Sequence, residues 1–255
     1  MIQTSINSSI NTYNTFNTFN TYNPYNMNST TIHSSNVNFT AKRDFLFRFV
    51  QPNVRVKLKM DDESLYSTTD QFTADRISKD ILKFLPNTST ITDATSCIGG
   101  TAYSFSQYFN KVYAIEIDPR RYSLLVHNLS VLMKDAKINV TCINNDALIS
   151  CKFLKQDAIF IDPPWGGPDY KQVSKMSLYL SNTELSIICN ALYICTKYIV
   201  IKVPINFDEE LFIENTKSFM TLVHKNISLR KMHLLIFKTY VADVAAVVDV
   251  AFKTL

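Results

Sequence analysis

Between residues 90 and 203, short apolar segments alternate with segments of helical character, and this alternation constrains the fold more than any other feature. The apolar segments have the composition of β-strands and span residues 90–94, 111–117, 138–143, 157–161 and 198–203. The segments between them favour helices over residues 101–110, 119–134 and 182–194. This order predicts a doubly wound, mostly parallel α/β sheet. Two later β-rich segments, 221–229 and 232–240, are close enough to pair as an antiparallel hairpin.

Composition divides the chain of 255 residues into four predicted parts. Residues 1–40 form an Asn/Thr-rich, low-complexity head that we expect to be disordered. Its spaced aromatics leave two interpretations open, a dispensable tail or an RNA-contacting or self-associating segment. Residues 41–65 form a basic extension, and residues 66–240 form the predicted α/β domain, to whose ligand site we expect the extension to contribute. Residues 241–255 are apolar and stay unassigned.

Several classes of protein do not fit this composition. The sequence contains no apolar stretch long enough to span a bilayer, and its polar first residues do not resemble a secretory signal. Its five cysteines are scattered, and with only four histidines they suggest neither a zinc site nor a disulfide framework. We therefore expect an intracellular, metal-free protein, with nucleus and cytoplasm not distinguished. The abundance of Asn, Ile, Lys, Phe and Tyr is typical of an AT-rich genome, such as that of a virus or a protist.

Acidic residues follow the predicted strands at their carboxyl ends, where open α/β sheets bind ligands. Asp93 precedes the glycine pair Gly99-Gly100, and the GxGxxG motif of dinucleotide-binding proteins is absent there. A carboxylate at this point suits a cationic ligand such as S-adenosylmethionine better than a pyrophosphate. Glu116 has the position of an acid that binds ribose hydroxyls, and Asp146 that of an acceptor for the adenine amino group. Each acid alone is equally explained as a helix cap.

The strongest signal is Asp162-Pro163-Pro164-Trp165, followed by the second glycine pair, Gly166-Gly167. Proline has no N–H and fixes the backbone, so the carbonyls of this loop are available to a ligand. An acid, free carbonyls and the only tryptophan of the chain together suit a planar amine. The alternative is a loop that merely turns the chain and buries Trp165 in the core.

Residues 42–59 are strongly basic, with Phe45, Phe47 and Phe49 interleaved among the cations. This combination suits phosphates and stacked bases. It is equally typical of an amphipathic element that packs on the domain with its basic face in solvent.

The Asp162 motif resembles that of amino-directed, S-adenosylmethionine-dependent methyltransferases. The longer string over residues 163–170, Pro-Pro-Trp-Gly-Gly-Pro-Asp-Tyr, resembles the trimethylguanosine synthase family of RNA cap guanine-N2 methyltransferases. Further similar segments are residues 46–49, 57–63, 66–67 and 114–119, so that the resemblance covers roughly residues 42–206.

The resemblance implies a Rossmann-like class I methyltransferase with a mostly parallel seven-stranded sheet and an antiparallel C-terminal hairpin. It implies S-adenosylmethionine as cofactor and 7-methylguanosine-capped RNA as partner. The implied catalytic residues are Asp162, Pro163 and Trp165. The implied cofactor-binding residues are Asp93, Gly99, Gly100, Glu116, Asp146 and Asp162. The implied substrate-binding residues are Trp165, Ser67, Asp169, Tyr170 and Lys202.

The sequence departs from the family pattern at three positions. Cys97 stands where the family has a third glycine, and Asp162 replaces a serine, as in ribosomal RNA guanine-N2 methyltransferases. Ile205 replaces an arginine that binds cap phosphate, a role left to Lys202 or to the basic segment. Two alternatives therefore stay open: an amino-directed methyltransferase for internal guanine of RNA or for a DNA base, and an inactive cap-binding protein on the same fold.

Overall fold

A computed structural model describes residues 38–134, 136, 139–229 and 231–241. The predicted head therefore lies outside the described residues except for its last three positions, and the tail except for Val241. Helix α1 begins at Phe39, two residues before the boundary predicted from composition.

The predicted segments form helices and strands within a few residues of their predicted bounds. The helices before residue 82, the helix over residues 209–216 and the short strand pair over residues 179–184 were not predicted. The helices are α1 (Phe39–Leu46), α2 (Pro52–Arg55), α3 (Ser64–Ser67), α4 (Gln71–Ile81), α5 (Gly100–Tyr108), α6 (Pro119–Leu132), α7 (Ala147–Ser150), α8 (Leu185–Leu192) and α9 (Glu209–Thr216). The strands are β1 (Thr90–Asp93), β2 (Lys111–Glu116), β3 (Val140–Asn144), β4 (Ala158–Ile161), β5 (Tyr179–Leu180), β6 (Thr183–Glu184), β7 (Tyr198–Pro204), β8 (Met220–Leu229) and β9 (Met232–Thr239). Single 3-10 turns span Gly167–Gln172 and Tyr193–Cys195.

Within the described chain, seven strands form one sheet in the order β3-β2-β1-β4-β7-β9-β8. The pairs from β3 to β7 are parallel, whereas β9 runs antiparallel to both β7 and β8. The predicted sheet with its antiparallel hairpin is thus confirmed. The chain extends from β1 through β2 to β3, then returns to place β4 on the other side of β1. This reversal leaves a crevice beyond the ends of β1 and β4, where ligands bind in such sheets.

Helices cover both faces of the sheet, which explains why the central strand β4 is a continuous apolar run with all four residues buried. On one face α4, α5 and α6 contribute Ile77, Phe105 and Leu125 to a core that includes Phe160. On the other face α7, α8 and α9 pack over Ile159, Ile161 and their neighbours. No helix of the described residues is long and apolar enough to cross a membrane.

The N-terminal extension packs on the loop that follows β1. Leu46, Phe47, Val50 and Leu58 are buried in a third cluster with Ile98 of that loop. Asn128 of α6 joins the two segments: its amide oxygen accepts from Lys59 N at 2.8 Å, and its nitrogen donates to the carbonyls of Lys59 and Ile98. A buried side chain with this many hydrogen bonds fixes the extension against the domain.

Candidate active site

Asp93 ends β1 with a fully buried side chain. Its Oδ1 accepts from the Thr95 backbone N–H at 3.2 Å, whereas its Oδ2 is buried without a hydrogen-bond partner among the described residues. Burial raises the pKa of Asp93 to about 7, and the nearby charges of Asp162 and Glu116 add to this shift. A buried carboxylate oxygen without a partner requires an explanation, and a cationic ligand provides one.

The loop between β1 and α5 turns tightly beside Asp93. Cys97 has a φ of 50°, a conformation that glycine adopts without strain and that is uncommon for other residues. Its backbone N–H donates to Glu116 Oε2 at 3.0 Å, while burial raises the pKa of its thiol to about 12. At Gly100 an added Cβ would lie 2.7 Å from the Thr69 carbonyl oxygen, so glycine is required by the close approach of that backbone.

Glu116 ends β2 with 7% of its surface exposed. Its two oxygens accept from the backbone N–H groups of Cys97 and Asp118, and Arg121 Nε lies 3.5 Å from Oε1. Burial raises the pKa of Glu116, opposed by these hydrogen bonds and by Arg121. The carboxylate is therefore held in a fixed orientation at the end of the strand.

Asp146 follows β3 and caps α7, since its Oδ1 accepts from Leu148 N at 2.8 Å. This is the helix-cap role that the sequence left open for every acid at a strand end. The side chain is half-buried, so a cap role and a contact to a ligand remain compatible.

Asp162 follows β4 and forms a nearly buried ion pair with Lys202 of β7, with 2.5 Å between Asp162 Oδ2 and Lys202 Nζ. Lys202 also donates to Thr69 Oγ1 at 2.6 Å, and Thr69 donates to the same carboxylate oxygen at 3.4 Å. Burial raises the pKa of Asp162, with the cation of Lys202 acting in the opposite direction. Lys202 therefore lies within the site instead of presenting a free ammonium at its rim.

The loop after Asp162 places an aromatic ring beside this pair. Trp165 is half-buried, its indole Nε1 is buried without a described hydrogen-bond partner, and Tyr170 packs edge-on at 5.4 Å between ring centroids. Lys202 Nζ lies 5.3 Å from the Trp165 centroid. Gly166 and Gly167 both have positive φ, so the tight turn after the tryptophan depends on glycine. Pro163 is buried and Pro164 exposed.

The structure brings most of the predicted site residues to one edge of the sheet, in and around the crevice. Ser67 is exposed at the end of α3, two residues before Thr69. The side chain of Asp169 lies outside the described residues. In the basic segment, Arg43 and Arg55 pair with Asp44, and Arg48 pairs with Asp70, so part of its charge is used internally.

Three polar residues that the sequence analysis did not select shape this site. Thr69 contacts Asp162, and Thr95 Oγ1 accepts from Asp162 N at 2.8 Å, which joins the loops after β1 and β4. Asn206 donates to the carbonyls of Tyr170 and Val173, both at 2.7 Å, and so anchors the segment after Trp165. Its only available signal was its place in Pro204-Ile205-Asn206, which stands where the family often has Pro-Arg-Asn by resemblance.

The arrangement fits a cationic nucleoside cofactor. The unpartnered Oδ2 of Asp93 lies at the carboxyl end of β1, and the fixed carboxylate of Glu116 lies at the carboxyl end of β2. No cluster of three or more metal-ligating side chains occurs in the part of the chain that the structure describes.

Sequence comparisons identify the family to which the chain is similar. The family model of RNA cap guanine-N2 methyltransferases matches residues 88–228, more than half of the chain. An uncharacterized protein of Acanthamoeba polyphaga mimivirus is 29% identical over 211 residues, covering 72% of this chain and 80% of the relative. The trimethylguanosine synthase of Schizosaccharomyces pombe is 35% identical over 124 residues, covering 47% of this chain and 51% of the synthase. The alignment thus spans only about half of that enzyme.

Solved structures share the fold at low sequence identity. A proposed RNA methyltransferase from Pyrococcus horikoshii has a TM-score of 0.52 and 13% identity, covering 71% of this chain and 91% of that protein. A proposed methyltransferase from Porphyromonas gingivalis has a TM-score of 0.53 and 16% identity, covering 73% of this chain and 47% of that protein. Together, the family match and the fold show that the chain is a methyltransferase related to trimethylguanosine synthase, of a class that uses S-adenosylmethionine, and that it belongs to the RNA cap guanine-N2 methyltransferase family.

Proposed function

We propose that this chain methylates the exocyclic N2 of guanine in a 7-methylguanosine RNA cap, giving the 2,7-dimethyl or 2,2,7-trimethyl form. The observation that carries the proposal is the Asp162-Pro163-Pro164-Trp165 loop at the sheet's switch point, beside Asp93, whose Oδ2 has no hydrogen-bond partner among the described residues. An acceptor for an amine, a ring for a base and a site for a cationic cofactor then occupy one crevice.

In this proposal the residues around β1 and β2 bind S-adenosylmethionine. Asp93 faces its positively charged groups, the loop that turns at Gly99 and Gly100 presents its backbone to it, and Glu116 accepts from its ribose hydroxyls. Asp146 accepts from the adenine amino group with the oxygen that does not cap α7. When bound, the cofactor supplies an electrophilic methyl group on a sulfonium.

The substrate amine needs acceptors because the lone pair of guanine N2 is delocalised into the ring. Lys202 and Thr69 both contact Oδ2 of Asp162, which leaves Oδ1 for a hydrogen of that amine. The Pro163 carbonyl accepts the second hydrogen. These bonds favour a pyramidal nitrogen and stabilise the positive charge that develops on it. Asp162 or water then takes the departing proton.

Trp165 provides the stacking surface for the base, with Tyr170 holding its ring from the edge. Because 7-methylguanine is positively charged, the contact is partly a cation–π interaction, worth about 0.5–2 kcal/mol. Ser67 and Asp169 border the same crevice in this proposal. Because Lys202 is paired with Asp162, the cations of the basic extension bind the cap phosphates in this proposal.

One observation favours a second candidate, methylation of a neutral internal guanine in RNA. The ammonium of Lys202 lies close to the Trp165 ring and would repel a cationic base stacked there. In the first candidate, the negative charge of Asp162 offsets the positive charge of Lys202. The two candidates therefore differ in how completely Asp162 neutralises the ammonium beside the Trp165 ring.

A transfer assay with labelled S-adenosylmethionine separates the candidates. Dinucleotide caps with 7-methylguanosine and with unmethylated guanosine are compared with uncapped RNA. Transfer to N2 of the 7-methylated cap alone supports the first proposal. Transfer to uncapped RNA with neither cap modified supports the second. Cap binding with no measurable affinity for the cofactor by calorimetry would identify an inactive binding protein and overturn both.

A further inference from the structure

The N-terminal extension keeps several aromatic rings in solvent although it has an apolar face buried in the domain. Phe45, Phe49 and Tyr66 are 43%, 62% and 68% exposed, whereas Phe47 between the first two is 1% exposed. The extension therefore has a separate outer surface, which we call the aromatic patch. It consists of Lys42, Phe45, Arg48, Phe49 and Tyr66.

Two cations lie over the rings of the aromatic patch. The Arg48 guanidinium is 4.4 Å from the centroid of Phe45, and the Lys42 ammonium is 5.8 Å from Phe45 and 6.0 Å from Tyr66. One ammonium contacts both rings, so they belong to the same surface. Lys42 has no acidic partner among the described residues, which leaves its charge available to an anion.

The aromatic patch is joined directly to the active site. Arg48 forms an ion pair at 3.1 Å with Asp70, which caps α4. The Phe49 N–H donates to Gln71 Oε1 at 2.9 Å. Thr69, the residue before Asp70, contacts the carboxylate of Asp162. The aromatic patch and the site are thus connected through the consecutive residues Thr69, Asp70 and Gln71.

We propose that the aromatic patch binds the unpaired nucleotides that follow the modified guanine in single-stranded RNA. The inference rests on the proposed function only in taking RNA as the partner. Exposed rings stack on bases of any sequence, and cations beside them neutralise the phosphates between those bases. An apolar surface meant for a protein partner would not need cations held over Phe45 and Tyr66.

Fluorescence anisotropy with an uncapped, single-stranded RNA of about ten nucleotides tests the proposal, because stacking platforms bind segments of this size. Phe49→Ala and Tyr66→Ala should each weaken binding by about 5- to 100-fold, the range typical of one lost stacking contact. Phe153→Ala is the matched control, since Phe153 is 83% exposed and lies in the loop that leads to the start of β4, at the opposite edge of the sheet. Lys42→Gln should reduce the salt dependence of the affinity by roughly one phosphate contact.

Methyl-transfer kinetics give a second readout. For wild-type protein, the KM for a capped RNA should be lower than for the capped dinucleotide, and the two variants should remove this difference while kcat on the dinucleotide stays unchanged. Wild-type affinity for RNA in both variants, or an equal loss in Phe153→Ala, would overturn the proposal. Failure of the proposed function is distinguishable, because it appears as absent cap methylation with RNA binding still sensitive to Phe49 and Tyr66.

Discussion

Lys202 Nζ and Asp162 Oδ2 lie 2.5 Å apart on neighbouring strand ends, with both side chains nearly excluded from solvent. The parallel register of β4 and β7, in which Ile161 faces Ile201, brings the next residue of each strand together. A lysine at this place compensates for a carboxylate where the related cap enzymes have a serine by resemblance. The first position of the motif is thus tied to the neighbouring strand by a buried ion pair.

Replacing Lys202 by methionine should destabilise the protein and slow methyl transfer. The change leaves Asp162 buried without its partner, and breaking a buried ion pair typically costs about 3–5 kcal/mol. Urea denaturation measures the loss, and kcat should fall because the carboxylate loses its fixed orientation. The double variant Lys202→Met with Asp162→Ser should recover most of the stability. If Lys202→Met alone were as stable as the wild type, the ion pair would contribute nothing to the stability of the fold.

Replacing Trp165 by alanine should weaken cap binding by roughly 10- to 100-fold, since a stacking contact and its cation–π component are lost together. Binding of S-adenosylmethionine should stay unchanged, and calorimetry can measure both ligands on one preparation. Trp165→Phe retains a ring and serves as the control with an intermediate effect. Equal loss of both ligands in the alanine variant would instead assign Trp165 a role in folding.

Cofactor binding should depend on pH through Asp93. Burial raises the pKa of Asp93 from 3.8 to about 7 in the folded protein, so the protonated form stabilises the fold. This stabilisation is complete below the pKa that Asp93 has in the unfolded chain, and it is lost as pH rises through about 7. A cationic ligand prefers the ionised carboxylate, so affinity for S-adenosylmethionine should rise between about pH 6 and pH 8.

The control for this pH dependence is Asp93→Asn, which keeps the shape of the side chain without a titrating group. Its cofactor affinity should be lower and nearly constant over the same pH range. A wild-type affinity that does not change with pH would mean that Asp93 does not face the charged part of the cofactor.

Replacing Gly100 by alanine should disturb the cofactor loop and the substrate side together. The added methyl group would clash with the Thr69 carbonyl at 2.7 Å, and overpacking of this kind costs about 1–3 kcal/mol. Thermal unfolding should show the loss, and methyl transfer should fall because Thr69 also contacts Asp162. Gly167→Ala is the comparison: no atom lies within 4 Å of its added Cβ, so only the strain of its positive φ remains. Similar effects of both changes would contradict the role of the close approach at Gly100.

The strands of the sheet and the site's main loop were predictable because their signals are local. A continuous apolar run such as β4 and a proline-rich loop with the only tryptophan are visible in a few consecutive residues. The environment of Lys202 was not predictable, because its contacts with Asp162 and Thr69 join residues 40 and 133 positions apart. Lys202 was expected as a possible ligand for cap phosphate, and only the strand register shows its ammonium to be paired.

The basic extension shows the same limit. Charge and aromatic content alone did not distinguish a nucleic-acid surface from an amphipathic element packed on the domain. The structure contains features of both, since Phe47 is buried while Phe45 and Phe49 stay in solvent. One face of this short segment is buried and the other is exposed. Which face is buried depends on the positions of Ile98 and Asn128 in the folded protein.

The hydrogen bonds that join Asn128 to Lys59 and Ile98 also constrain the order of events during biosynthesis. Lys59 and Asn128 are 69 positions apart, so the docking site of the extension is translated well after the extension itself. Translation proceeds at roughly 5–20 residues per second. Leu46, Phe47 and Leu58 are therefore synthesised several seconds before the surface that covers them. Until α6 has emerged, these side chains therefore lack the partners that bury them in the folded protein.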